Sequence, residues 1–261
     1  MSQEILKLPS LNKGFIPVWK RNFLVWKKLA LPSVVGNIAE PLITLIAFGY
    51  GLGSLIKSID GLPYIHFLAS GSICMSVMMA SSFEALYSAF SRMHVQKTWD
   101  SILNTPIEID QIVFAEMLWA GSKSFISGIV ILFVLLFLGI IKSWTVFLAL
   151  PFLFLVGITF AALALVINAI AKSYDFFTFY FTLILTPMIF LSGIYFPVDK
   201  LPLWLQNVSH ILPLNASVNL IRPLLMGEMP SNTLYCILNI MLFCILGFYF
   251  ATILTRRRLL K

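Results

Sequence analysis

Along the first thirty residues, polar and apolar positions alternate with the period of a helix. Phe15, Trp19, Phe23 and Trp26 fall on one side, and Lys13, Lys20, Arg21, Lys27 and Lys28 fall on the other, with Asn22 and Leu24 as exceptions. The spacing predicts a surface helix over Gly14 to Leu29, with Pro17 tolerated in its first turn. It is too polar to span a bilayer and reads as an interfacial helix along the inner leaflet. The plainer alternative is a basic flank that happens to carry tryptophans. Beyond it the pattern changes to long apolar runs at about 31–56, 64–90, 112–138, 144–171, 176–195 and 234–254. Each is near or above the roughly 20 residues a bilayer requires, which predicts six transmembrane helices.

Between the fifth and sixth runs lies a stretch of different character. Pro197, Pro202, Pro213, Pro223 and Pro230 interrupt short apolar pieces such as Leu201 to Leu212. Those pieces cannot span, and they predict short re-entrant or interfacial helices dipping in from the outer side; Pro197, Trp204, Pro213, Arg222 and Pro223 mark this outer region. No linker or repeat divides the chain. Residues 1–30 form an N-terminal segment with its interfacial helix, and residues 31–261 form one transmembrane domain.

Composition strengthens this reading. Of 261 residues, 59% are hydrophobic and 11% charged, with a mean hydropathy of +0.94, whereas soluble domains carry roughly 25% charged residues. In lipid the backbone must satisfy its own hydrogen bonds, which makes the fold class an all-α membrane protein. The net charge of +7 would raise the question of nucleic acid in a soluble domain. Here, with the N-terminus inside, 13 Lys and Arg fall on the cytoplasmic segments and 4 outside, so anionic lipid headgroups are the expected counterions and no nucleic acid is. The first seventeen residues lack an uninterrupted apolar segment, so no signal peptide is expected and both termini are placed in the cytoplasm. Cys74, Cys236 and Cys244 lie in apolar runs without metal spacing and read as small core residues.

Candidate chemistry is sparse. The nearest string to a phosphate-binding loop, Gly121-Ser122-Lys123-Ser124, lacks the first glycine and sits in an apolar run. His66, His94 and His210 fall in three separate segments, which predicts neither a metal site nor a catalytic pair, so the chain is not expected to be an enzyme. The intramembrane ionisable residues are Glu40, Glu84, Glu116 and Lys123. Glu84 and Glu116 read as interfacial charges; Glu116 and Lys123, seven apart on one helix face, form either an ion pair or part of a functional site. Glu40, followed by Pro41 and deep in the first run, is expected to face the bundle interior, where it would serve a proton-coupled secondary transporter as the alternative function. Met75, Met78 and Met79 lie among the small residues of the second run, Ser70 to Ser82, a composition that permits close helix approach.

Several motifs occur in one order along the chain: Asn37-Ile38-Ala39-Glu40-Pro41-Leu42, Phe48-Gly49-Tyr50-Gly51-Leu52-Gly53, Ser91 to Asp100, Glu116-Met117-Leu118-Trp119-Ala120, Ser173 to Phe177, Leu185 to Met188, Leu191 to Pro197 and Leu220 to Leu225. Together they resemble type-2 ABC exporter permeases, and particularly the nodulation-factor, or lipooligosaccharide, exporter branch. The resemblance implies a permease that pairs with a second copy and with two cytoplasmic ABC ATPase subunits, which would bind ATP and Mg while this chain holds no cofactor. It implies a coupling helix over about Arg92 to Asn104, where Arg92, Lys97, Trp99, Asp100, Ile102 and Leu103 would meet the ATPase, with Trp99 as the exposed anchor. It further implies export of an amphipathic substrate: a lipid-linked glycan, lipooligosaccharide, glycolipid or hydrophobic drug.

Overall fold

The computed structural model describes residues 7–56, 58–59, 61–141 and 143–260, the side chains of Asn37, Ile38 and Glu40 excepted. The chain begins with α1 (Phe15–Lys27) and turns at Leu29 into α2 (Ala30–Gly51). A two-residue antiparallel ribbon, β1 (Ser58–Ile59) with β2 (Leu62–Pro63), leads into α3, which runs without a break over Tyr64–Val95. There follow the short α4 (Thr98–Leu103), then α5 (Ile109–Phe137) and α6 (Val146–Ile170). The remaining helices are α7 (Asp175–Leu191), α8 (Leu203–Ile211), α9 (Pro213–Met226) and α10 (Thr233–Leu259).

Five of the described helices, α2, α3, α5, α6 and α10, are long and apolar enough to cross a membrane. The fifth predicted run folds as α7, a 17-residue helix at the lower end of the spanning range, because Ser192 and Gly193 turn the chain before Tyr195. The architecture is that of an all-α membrane protein.

α3 is the axis of the bundle. Its small residues are buried on every side, as expected of a helix without a polar stripe, and 83% of its apolar window is covered against 13% for α2. α5, α6 and α9 pack around it. At Gly71 a Cβ would lie 2.9 Å from the Ile194 Cα, so α3 meets the turn after α7 backbone against backbone. α10 divides into two stripes: Cys236, Ile240, Gly247 and Ala251 face inward, while Leu234, Leu238, Leu242 and Ile245 stay exposed at helical spacing, the surface that lipid covers.

The short helices before α10 follow from the proline pattern. Pro213 occupies the first turn of α9, where its missing N–H costs nothing, and Gly227 ends the helix at φ +92° with its N–H donated to the Pro223 carbonyl. With 9 and 14 residues, α8 and α9 reach only about 14 and 21 Å at about 1.5 Å per residue. Arg222 fastens α9 to α3: its Nε donates to Ser70 Oγ (2.9 Å), its Nη2 to the Gly193 carbonyl (2.6 Å), and its guanidinium stacks 3.8 Å from the Phe67 ring centre. Trp204, on α8, is exposed, and Pro197 precedes the single turn Val198–Lys200.

Two expectations are corrected here. The aromatic side of α1 packs on protein: Phe15 meets Phe114 edge-on at 5.0 Å, and Trp19, Phe23 and Trp26 surround Trp119 of α5 at 6.3, 6.3 and 5.8 Å. Trp19 Nε1 also donates to Ser122 Oγ (3.2 Å), so an amphipathic pattern that sequence assigns to lipid is shared with a neighbouring helix. Lys20 and Lys27 remain exposed, and Arg21 is half-buried. The second correction concerns Arg92, which does not belong to the outward coupling segment, because α3 continues helical to Val95 and carries it inside.

Candidate functional site

The end of the bundle that carries α1, α4 and the C-terminal arginines contains a buried network of charges. It is built on two π-helical turns in α3, Glu84–Ser88 and Ser91–Val95. Such wide turns shift the phase of the helix and leave carbonyls short of their usual partners. Asn168 of α6 answers that need, its Nδ2 donating to the Ala85 carbonyl (2.7 Å) and, more weakly, to that of Leu86 (3.3 Å). The shifted phase aims Glu84, Ser88 and Arg92 at α5.

Glu84 accepts four hydrogen bonds. Its Oε1 takes Trp119 Nε1 (2.8 Å) and Arg92 Nη2 (3.0 Å), and its Oε2 takes Lys123 Nζ (2.8 Å) and Ser88 Oγ (2.9 Å). Arg92 is shared with Glu116, through Nε to Oε1 (2.9 Å) and Nη2 to Oε2 (2.5 Å). Trp99 closes the chain by donating Nε1 to Glu116 Oε1 at 3.2 Å. Two carboxylates and two cations thus balance inside the protein, each with the hydrogen bonds that make buried charge tolerable.

This geometry revises several expectations. Glu84 and Glu116 are enclosed by protein, being 3% and 1% exposed. Glu116 does not pair with Lys123; Arg92 takes Glu116 and Lys123 takes Glu84, because α3 supplies a nearer partner for each than α5 does for itself. Trp99 is not exposed but 1% accessible, and its indole is consumed by the network. Ile102 and Leu103 are half-buried against the core. The outward face of the α4 segment is formed instead by Val95, Gln96, Lys97, Asp100, Ser101 and Asn104, with Lys97 at φ 50° making the turn that separates α4 from α3. Glu40's side chain lies outside the described residues.

Several residues of the site carried no sequence signal. Asp110, at the start of α5, forms a buried ion pair with Arg256 of α10, which also donates Nη1 to the Lys7 carbonyl (2.6 Å). Ser10 N donates to the same aspartate (2.8 Å), so both ends of the chain are tied beside α4. Arg256 is therefore committed to protein and not to lipid headgroups. Arg258 Nη1 covers the Asn168 carbonyl (2.9 Å), and its guanidinium meets His94. Partners 146 and 90 residues apart leave no trace in local spacing.

Further along α3, a cavity of about 280 Å³ opens between α2, α3 and α7, lined by Gly36, Pro41, Met75, Ser76, Met79 and Phe181 among others. Its walls are apolar and adaptable, with the Ser76 hydroxyl facing no partner among the described residues. The arrangement offers a greasy recess in the membrane region and a rigid ionic linkage to α4.

The profile of the family described as ABC-2 type transporter matches residues 14–226. The chain is 43% identical over 256 residues to nodulation protein J of Rhizobium meliloti (strain 1021), covering 98% of each chain. It is 42% identical to nodulation protein J of Rhizobium leguminosarum bv. viciae, over 98% of this chain and 99% of that one. A more distant relative, the inner membrane transport permease YadH of Escherichia coli (strain K12), is 26% identical over 76% of this chain and 77% of its own. With these matches spanning the bundle, the α4 segment and the short helices α8 and α9, the chain belongs to the ABC-2 type transporter family and is a multi-pass bacterial membrane permease.

Proposed function

We propose that the chain is the membrane half of an ATP-driven exporter in the inner membrane, with both termini in the cytoplasm. Two copies pair with two ABC ATPase subunits, which bind ATP and Mg and hydrolyse the nucleotide. The observation that carries this reading is the linkage from α4 to the bundle: Trp99 to Glu116, Glu116 to Arg92, Arg92 to Glu84 and Glu84 to Lys123. A short helix held by its own indole to a buried ionic chain is a rigid lever between a cytoplasmic docking face and two spanning helices. Closure of the ATPase pair against Lys97 and Asp100 then moves α3 and α5 together relative to α2 and α7 and opens or closes the recess lined by Met75 and Met79.

The substrate we infer is amphipathic, of the lipooligosaccharide or lipid-linked glycan class. The apolar recess supports it, as does the likeness to nodulation proteins, and a glycolipid or hydrophobic drug has the same general chemistry. The test is reconstitution of the permease with its ATPase subunit in proteoliposomes. Permease alone should hydrolyse no ATP. Trp99→Phe keeps most of the ring volume and removes the donor to Glu116, so the partner should still bind while transport per ATP hydrolysed falls. An unchanged transport-to-hydrolysis ratio in that variant refutes the lever, and hydrolysis by the isolated permease refutes the division of labour.

A further inference from the structure

The geometry points to a binding site for the phosphate of an anionic lipid headgroup in the cleft between α1, α3 and α5, with Arg21 and Asn22 as its principal donors. The cleft encloses about 230 Å³, and its lining includes Arg21, Asn22, Trp26, Gln96, Trp119 and Lys123. Its carboxylate, Glu84, is already held between Arg92 and Lys123. Arg21 makes no ion pair among the described residues; its Nη1 donates to Asn22 Oδ1 (3.1 Å) and its Nη2 weakly to Thr98 Oγ1 (3.3 Å). Because Asn22 Oδ1 is engaged by Arg21, its amide nitrogen is left as a donor, and that nitrogen, on a residue only 3% exposed, has no partner among the described residues. A buried donor without an acceptor is rare and costly.

The charge balance supports the same conclusion. Burial first and the like charge of Arg92 second lower the Arg21 pKa and outweigh the Glu116 carboxylate, so the guanidinium stands short of negative charge. An anion in the cleft satisfies both the guanidinium and the orphaned amide. What makes that anion a lipid rather than a free ion is the rim. The cleft opens past Val25 and Leu29, 57% and 66% exposed, and Leu31 beside them is 76% exposed. These apolar side chains stand where acyl chains continue from a headgroup, at the end of the bundle rich in basic residues. The ligand is a lipid of the leaflet next to α1 and does not depend on which substrate the transporter exports.

The experiment titrates the delipidated full chain in detergent with dioleoyl-phosphatidylglycerol, dioleoyl-phosphatidylcholine or inorganic phosphate, and counts retained lipid by native mass spectrometry. Wild type should retain phosphatidylglycerol in preference to phosphatidylcholine. Arg21→Gln should weaken phosphatidylglycerol about tenfold, the factor that loss of one charge-assisted hydrogen bond corresponds to. Arg21→Lys should recover part of that loss, and Lys20→Gln, which removes a neighbouring exposed charge, should bind as wild type. If Arg21→Gln does not yield monodisperse protein, Asn22→Ala supplies the same reading through the orphaned amide. Equal binding by wild type and Arg21→Gln overturns the site, as does an equal loss in Lys20→Gln. Displacement of phosphatidylglycerol by millimolar inorganic phosphate makes it a free-anion site and overturns the lipid assignment. None of these outcomes depends on ATP, so failure here leaves the exporter reading untouched.

Discussion

Glu84→Gln is the sharpest probe of the buried network. In the native protein both carboxylate oxygens face donors only: Trp119 and Arg92 on one, Lys123 and Ser88 on the other. An amide supplies one acceptor and one donor, so whichever way it turns, its NH2 meets two N–H or O–H groups. Arg92 keeps Glu116, but Lys123 loses the carboxylate it pairs with and is left charged at 14% side-chain exposure. Stranding one member of a buried pair costs about 3–5 kcal/mol. Removing the stranded charge as well, in Glu84→Gln with Lys123→Met, should recover about 2 kcal/mol, a coupling expected only between groups in contact. Unfolding in graded detergent mixtures can be followed with a fluorogenic thiol reagent, since Cys74 and Cys236 are buried until the bundle opens. A cost within about 0.5 kcal/mol of wild type, the range of ordinary surface changes, would refute the network as a stabilising unit, and so would the absence of recovery in the double variant.

Reversing the outward charges of the α4 segment, Lys97→Glu with Asp100→Lys, should leave thermal unfolding unchanged, both residues being exposed, while reducing co-purification of the ATPase; wild-type stoichiometry would move the docking face elsewhere. Arg222→Gln should loosen α9 from α3 and cost about 2 kcal/mol, the value of hydrogen bonds to a charged group, with faster thiol labelling at Cys236; unchanged labelling would show that packing alone holds α9. Gly71→Val should destabilise by about 1–3 kcal/mol through collision with the Ile194 backbone, and a melting temperature equal to wild type would contradict that contact.

The apolar runs of the sequence marked out the spanning helices, and the proline spacing before α10 marked the short helices α8 and α9. Both signals are local, because a bilayer tests each stretch by its own length and polarity, and proline acts on its own turn. The motifs from Asn37 to Leu225 likewise placed the chain among ABC-2 permeases before any contact was known. The alternation over Phe15 to Trp26 showed that α1 has two faces but could not say that Trp119 covers one of them.

What tertiary structure decided was the pairing of polar groups. Helical spacing offered Lys123 to Glu116, yet the π-turns of α3 brought Arg92 and Glu84 between them and exchanged the partners. The composition of the α4 segment presented Trp99 as an anchor for another protein, yet the approach of α5 buried it against Glu116. Asp110 and Arg256 meet only because α5 starts and α10 ends on the same side of the bundle. A spanning helix is specified by its own side chains, since lipid is the same apolar solvent everywhere along it. An ion pair inside the bundle is specified by the phase and tilt of two helices at once, and those are set by packing among segments distant in sequence.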